Sequence, residues 1–183
     1  MESTNLIVIN GNELPFETGE TILEVAERNG IDIPTLCHLK HTIPTTTCKI
    51  CQVEIQGRDA LIESCASQAE AGMVIFTESL KVIQARKERI SGLLASGNHN
   101  CAISDAAGQD WTELQLLVQQ DDQSKELCPV WGDCRLQDLA YRYQVTGEGF
   151  QSTPNKYPLE DVNPFIVRDF SRCILCGRCV QAC

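Results

Sequence analysis

A chain of 183 residues, 43% of them apolar, holds material for one average domain or two small ones with a real core, and too much for a disordered chain. Its 15 Lys and Arg stand against 25 Asp and Glu, a formal charge of −10 at pH 7, which argues against nucleic acid or an anionic membrane surface as partner. No apolar run approaches the roughly 18 residues that span a bilayer, and Met1-Glu2-Ser3-Thr4-Asn5 lacks the positive flank of a secretory signal, so the chain reads as soluble and cytoplasmic.

Residues 5–16 predict a β-hairpin, because Leu6-Ile7-Val8-Ile9 is rich in β-branched residues and both positions of Asn10-Gly11 tolerate positive φ. A helix follows, opened by a capping box of Thr21 and Glu24, with Ile22, Val25 and Ala26 on its inner face, and stopped by Gly30 before Pro34. Residues 35–48 form a Thr-rich loop, Gln52-Val53-Glu54-Ile55 a half-buried strand turned by Gly57, and Met73-Val74-Ile75-Phe76 a last strand. Strand–strand–helix–strand–strand within residues 1–78 predicts an α+β sheet domain with one packed helix. From Leu80 the period turns helical: Leu80, Ile83, Ile90 and Leu93 fall on one stripe, Lys81, Arg86, Lys87 and Arg89 on the wet side, and Gly97-Asn98 ends the helix. A second helix is expected at about 110–120, with Asp110 as N-cap, and a third from near Cys134 carrying Leu136, Leu139, Ala140 and Tyr143. Residues 146–164, punctuated by Gly147, Gly149, Pro154, Pro158 and Pro164, read as an extended connector.

Eleven cysteines dominate the chemistry. An odd number without a secretory signal fits a disulfide scaffold poorly, and metal binding is the economical reading. The first group, Cys37, Cys48, Cys51 and Cys65, is spaced C-x10-C-x2-C-x13-C. Four thiolates drawn from a loop and from beyond the next strand suit a 2Fe–2S cluster; a four-thiolate zinc site is the alternative. His38 and His41 are surplus to it and are expected to be exposed loop residues. At the other end, Cys173-Ile-Leu-Cys176-Gly-Arg-Cys179-Val-Gln-Ala-Cys183 is the C-x2-C-x2-C-x3-C run of bacterial ferredoxins, in which three thiolates wrap one 4Fe–4S cubane and the fourth Cys points at another cluster. No second run occurs in these residues, so Cys173, Cys176 and Cys179 make an incomplete set, Cys183 serves a further cluster, and the chain reads as the front of a longer protein or a stretch ending inside a domain.

The first spacing and strand order resemble the N-terminal iron–sulfur region shared by the large subunit of respiratory complex I, NAD-dependent formate dehydrogenase catalytic subunits and iron-only hydrogenases with their diaphorase subunits. The resemblance implies a β-grasp fold for 1–78, followed by a helical 4Fe–4S domain over 79–150 and a connector with a truncated ferredoxin-type domain over 151–183. One departure is Thr47-Cys48-Lys49-Ile50-Cys51, where the family more often has a small residue and an Arg around the first Cys of the pair. In the family the helical segment carries His-x3-Cys-x2-Cys-x5-Cys. Here Cys128 and Cys134 keep the x5 spacing, His99 and Cys101 stand at x1 rather than x3, and an insertion at 102–127 separates the pairs, so the implied set is His99, Cys101, Cys128 and Cys134. Pro164-Phe165-Ile166-Val167-Arg168-Asp169 also resembles the family's approach to its ferredoxin domain.

The resemblance implies an electron-transfer module of a multi-subunit NAD(P)H-linked oxidoreductase, working between a flavin-containing subunit and a downstream redox subunit or domain. No residue reads as a catalytic acid, base or nucleophile, and without a glycine-rich phosphate loop no NAD or flavin site is expected. The alternatives are the front of a catalytic formate dehydrogenase or hydrogenase polypeptide, and a zinc-stabilised interaction module without a redox role.

Overall fold

The computed structural model describes residues 5–95, 130, 132–145, 159–170 and 173–182. The chain divides into two compact units, residues 1–86 with 176–183, and residues 87–175.

In the first unit the strands β1 (Leu6–Ile9), β2 (Asn12–Pro15), β3 (Gln52–Ile55), β4 (Ile62–Glu63) and β5 (Val74–Phe76) form one sheet in the order β2-β1-β5-β3-β4. The Asn10-Gly11 turn has both φ angles positive, 51° and 85°, which matches it to the right-handed twist of the flanking strands. β5 runs parallel to β1, with Val8 opposite Val74, and antiparallel to β3, with Ile55 opposite Ile75. Asn10 then exchanges two hydrogen bonds with Thr77, tying the hairpin turn to the end of β5.

Period-2 alternation turns Ile7, Ile9, Val53, Ile55 and Ile75 to one face, where they share a core with Ile22, Leu23, Val25 and Ala26 of α1 (Ile22–Arg28). Each such branched side chain, fully buried, contributes roughly 1.5–3 kcal/mol relative to exposure. The mixed sheet with one helix against it is the ferredoxin-like α+β arrangement expected from the sequence. Both halves of the Thr21–Glu24 capping box form, and Asn29 and Gly30 (φ 71°) close the helix. Thr21→Ala should lower the stability of this unit by about 1 kcal/mol. A urea midpoint unchanged from that of the parent protein would contradict it.

The structure differs from expectation first in β4 and α2. The two-residue strand β4 is too short to produce a readable alternation, and it is held by pairing with β3, Val53 opposite Ile62. On α2 (Leu80–Leu94) the buried positions are Val82, Arg86, Ile90 and Leu94, while Leu80 is 87% exposed. Arg86, expected on the wet side, is fully buried because backbone carbonyls there need donors. Ser79 caps this helix, accepting from the Val82 N–H and bonding through its hydroxyl to the Glu54 carboxylate.

In the second unit α3 (Arg135–Arg142) starts at N-cap Cys134, close to the expected start, and buries Leu136, Leu139 and Ala140. Gln137, also buried, accepts a hydrogen bond from the Gly132 N–H at 2.8 Å. The end of the expected connector is instead a strand: β6 (Glu160–Asn163) pairs antiparallel with β7 (Ile166–Arg168). Pro164 sits in the turn between them, where its missing N–H breaks no ladder bond. The Gly97-Asn98 stop and the helix at 110–120 lie outside the described residues. Among the described residues no helix is long and apolar enough to cross a membrane.

Candidate metal centre

Cys37, Cys48, Cys51 and Cys65 are all buried, none more than 5% exposed. Cys37 sits in the loop that leaves α1, Cys48 and Cys51 where that loop runs into β3, and Cys65 in the turn just past β4. The start of α1 holds the Cys65 turn. Its first N–H groups have no partner within the helix, and those of Ile22 and Leu23 donate to the carbonyls of Ser67 and Ser64 at 2.9 and 3.1 Å. On the other side of the site the Cys51 carbonyl accepts from both the Ser64 hydroxyl, at 2.8 Å, and the Ser64 N–H, at 3.3 Å. Between Cys48 and Cys51, Lys49 takes φ 56°, a left-handed conformation that turns the chain tightly enough for both thiols to face inward.

The four cysteines associate in pairs. The Cys37 N–H donates to Cys48 Sγ at 3.4 Å, and the Cys51 and Cys65 sulfurs share a hydrogen bond at 3.4 Å. Among the described residues no three His, Cys, Asp or Glu side chains gather closely enough to hold one ion. In each pair one thiol gives up its proton more readily. The hydrogen bond with Cys65 draws Cys51 down to about 7 against the effect of burial, while that same bond and burial push Cys65 up. Burial pushes Cys48 up to about 11, whereas Cys37, also pushed up by burial, ends lowered by hydrogen bonds with Cys48 and Thr45.

Two sulfurs bound to one tetrahedral metal at about 2.3 Å lie about 3.8 Å apart. The 3.4 Å Cys51–Cys65 approach needs only slight opening to meet that spacing. Two pairs of buried cysteines suit a centre with two metal ions, one pair to each. His41 is exposed as expected, but His38 is not: it is half-buried, and its Nδ1 is enclosed without a hydrogen-bond partner one residue along from Cys37.

Of the other ligand candidates, Cys173 and Cys176 are half-buried and Cys179 is exposed on α4 (Arg178–Ala182). Leu175 and Gly177 flank Cys176 with positive φ, 56° and 70°, bending the backbone around its thiol. Cys134 is half-buried at the start of α3, while His99, Cys101, Cys128 and Cys183 lie outside the described residues.

Two residues with no sequence signal hold the backbone around the first cysteine group. Gln181 on α4 donates to the Cys37 carbonyl at 2.9 Å and accepts from the Thr42 hydroxyl at 3.0 Å, fastening the helix that carries Cys179 to the loop that carries Cys37. Arg86 donates from Nε to the Ile50 carbonyl at 2.9 Å and from a terminal nitrogen to the Gln52 carbonyl at 3.0 Å.

Comparison with known families agrees with this geometry. Residues 6–79 match a family model described as a 2Fe-2S iron-sulfur cluster binding domain, and residues 166–183 one described as a 4Fe-4S binding domain. The class is therefore an iron–sulfur protein whose cofactors are 2Fe–2S and 4Fe–4S clusters. More particularly, the chain carries the iron–sulfur region found in subunits of NAD(P)H-linked oxidoreductases, and complex I, hydrogenase and formate dehydrogenase proteins are all among its relatives. It is 31% identical to one of the subunits of an NADH-quinone oxidoreductase of Rhizobium meliloti, over 97% of this chain and 18% of that one. It is also 31% identical to a subunit of an NADP-reducing hydrogenase of Solidesulfovibrio fructosivorans, over 97% of this chain and 27% of that one. Among solved structures, one chain of an NAD+-reducing [NiFe]-hydrogenase in the H2-reduced state superposes with a TM-score of 0.76 at 29% identity, covering 98% of this chain and 66% of that one. The chain thus spans about a fifth to a quarter of the length of the first two relatives.

Proposed function

We propose that this chain is an electron-transfer module of a multi-subunit NAD(P)H-linked oxidoreductase, and that Cys37, Cys48, Cys51 and Cys65 hold its 2Fe–2S cluster in a β-grasp domain spanning 1–78. The observation that carries the reading is the burial of all four cysteines, with the Cys51 sulfur against that of Cys65 and the Cys37 N–H on the sulfur of Cys48. A bound cluster of this kind supplies a centre that takes up and gives back one electron at a time. The protein's part is to hold the ligands still while charge changes. The Ser64 bonds on the Cys51 carbonyl, the α1 N–H groups on the Cys65 turn and the Gln181 bond on the Cys37 carbonyl do this, since rigid ligands need little rearrangement between oxidation states. Burial keeps water from the sulfurs. Loading displaces the remaining thiol protons, so it weakens as pH falls.

His99, Cys101, Cys128 and Cys134 complete a second centre, a 4Fe–4S cluster within 79–150, and Cys173, Cys176 and Cys179 hold part of a third within 151–183, with Cys183 directed to a further cluster. The relatives are named as subunits of an NADH-quinone oxidoreductase, an NADP-reducing hydrogenase and an NAD-reducing hydrogenase. By the family resemblance, the partners are a flavin-containing NAD(P)H-oxidising subunit and a downstream redox subunit or domain, working in the cytoplasm.

The test is metal and sulfide analysis with visible absorption on the full chain purified without oxygen. Iron with acid-labile sulfide and broad visible absorption is the expected result. Zinc in place of iron would overturn the reading in favour of a zinc-stabilised module.

A further inference from the structure

We infer that Arg86 is a positioning residue for the Cys48–Cys51 loop and that its buried charge sets the potential of the centre this loop holds; the inference rests on the 2Fe–2S reading above. The i, i+4 run Val82-Arg86-Ile90 lies on the buried side of α2, where packing alone calls for a hydrophobe at position 86. A guanidinium stands there instead, fully buried. Burying that charge is unfavourable unless it is paired and its donors are used, and a well-packed apolar residue is often the more stable choice. What the arginine does there is specific to the site. Its planar fork spans two carbonyls, those of Ile50 and Gln52, which flank Cys51 on either side. With the Cys51 carbonyl held by Ser64, three consecutive carbonyls around this ligand are fixed by side chains from elsewhere in the unit.

The remaining arm of the guanidinium pairs with Glu78 at 2.7 Å. That carboxylate is 40% exposed and therefore screened by water, while the cation is not, so a net positive field acts on the backbone of Cys51. Reduction adds one negative charge at the centre, and a fixed cation nearby favours the reduced state. Arg86 therefore raises the potential and Glu78 tempers it.

The experiment uses the full chain loaded with iron and sulfide, with Arg86→Met, Arg86→Lys and Glu78→Gln beside the parent. Paramagnetic-resonance redox titration and the rate of iron loss to a chelator are the two readouts. Arg86→Met should titrate at a lower potential and lose iron about tenfold faster, the range set by removal of a ligand's supporting group. Arg86→Lys should keep the parent's potential more nearly but lose iron faster, since a point charge cannot bridge both carbonyls. Glu78→Gln should titrate at a higher potential. If Arg86→Met does not fold, the other two variants decide. A parental potential in Glu78→Gln together with a parental iron-loss rate in Arg86→Lys overturns the inference, as does a folded Arg86→Met matching the parent in both readouts. Absence of any 2Fe–2S signal in the parent would overturn the reading beneath it as well, so the two failures are distinguishable.

Discussion

Cys51→Ser abolishes the 2Fe–2S signal of the full chain and leaves the protein markedly easier to unfold. Three of the supports described above meet at Cys51: Arg86 holds the carbonyls on either side, Ser64 holds its own, and its sulfur meets Cys65. Of the four thiols it and Cys37 are the ones whose surroundings favour the thiolate, the form that binds metal. A serine hydroxyl stays protonated at neutral pH and is a harder donor than a thiolate, so the iron loses a ligand that the rigid backbone cannot replace. Stability falls with it, because the free energy of metal binding adds to that of the folded state. The effect is read from visible absorption, iron content and the urea midpoint. Cys179→Ser, at an exposed position on α4, is the control and leaves this signal in place. Retention of a stoichiometric 2Fe–2S spectrum in Cys51→Ser would remove Cys51 from the ligand set.

Cys128→Ala removes a separate 4Fe–4S signal, and His99→Cys keeps that signal while making the centre harder to reduce. Four ligands remain after the first and third groups are assigned, His99, Cys101, Cys128 and Cys134, in the chain order of the resembling family. Cys134 stands at the N-cap of α3 with extended backbone, φ −127° and ψ 119°, and its side chain does not cap the helix. A neutral imidazole in place of a thiolate removes one negative charge from the ligand set and raises the potential, as in Rieske centres. Exchanging it for a thiolate reverses that. Redox titration of the two variants against the parent gives the answer, and an unchanged set of signals in both would mean that these residues hold no cluster.

The features legible without coordinates are those that a few neighbouring residues decide. Asn10-Gly11 makes the hairpin because two adjacent residues accept positive φ, and Thr21 with Glu24 starts α1 because a side chain three positions away reaches the backbone. Cysteine spacing likewise announces iron–sulfur chemistry, since ligands grouped in short loops leave their spacing in the chain, and residues 6–79 and 166–183 match the corresponding families. Strand β4 is invisible to pattern because its two residues are held by β3 rather than by any alternation of their own. The buried side of α2 departs from its helical stripe at Leu80 and Arg86 for a related reason. Periodicity treats every arginine as wet, whereas here the carbonyls of Ile50 and Gln52, more than thirty positions away, supply the partners that make burial favourable. Gln181 lies 144 positions from Cys37 and reaches its carbonyl through the fold alone. The iron–sulfur class is thus a local property written in cysteine spacing. How firmly those cysteines are held, and which charge lies beside them, depends on donors and acceptors that only folding brings within about three ångströms of each other.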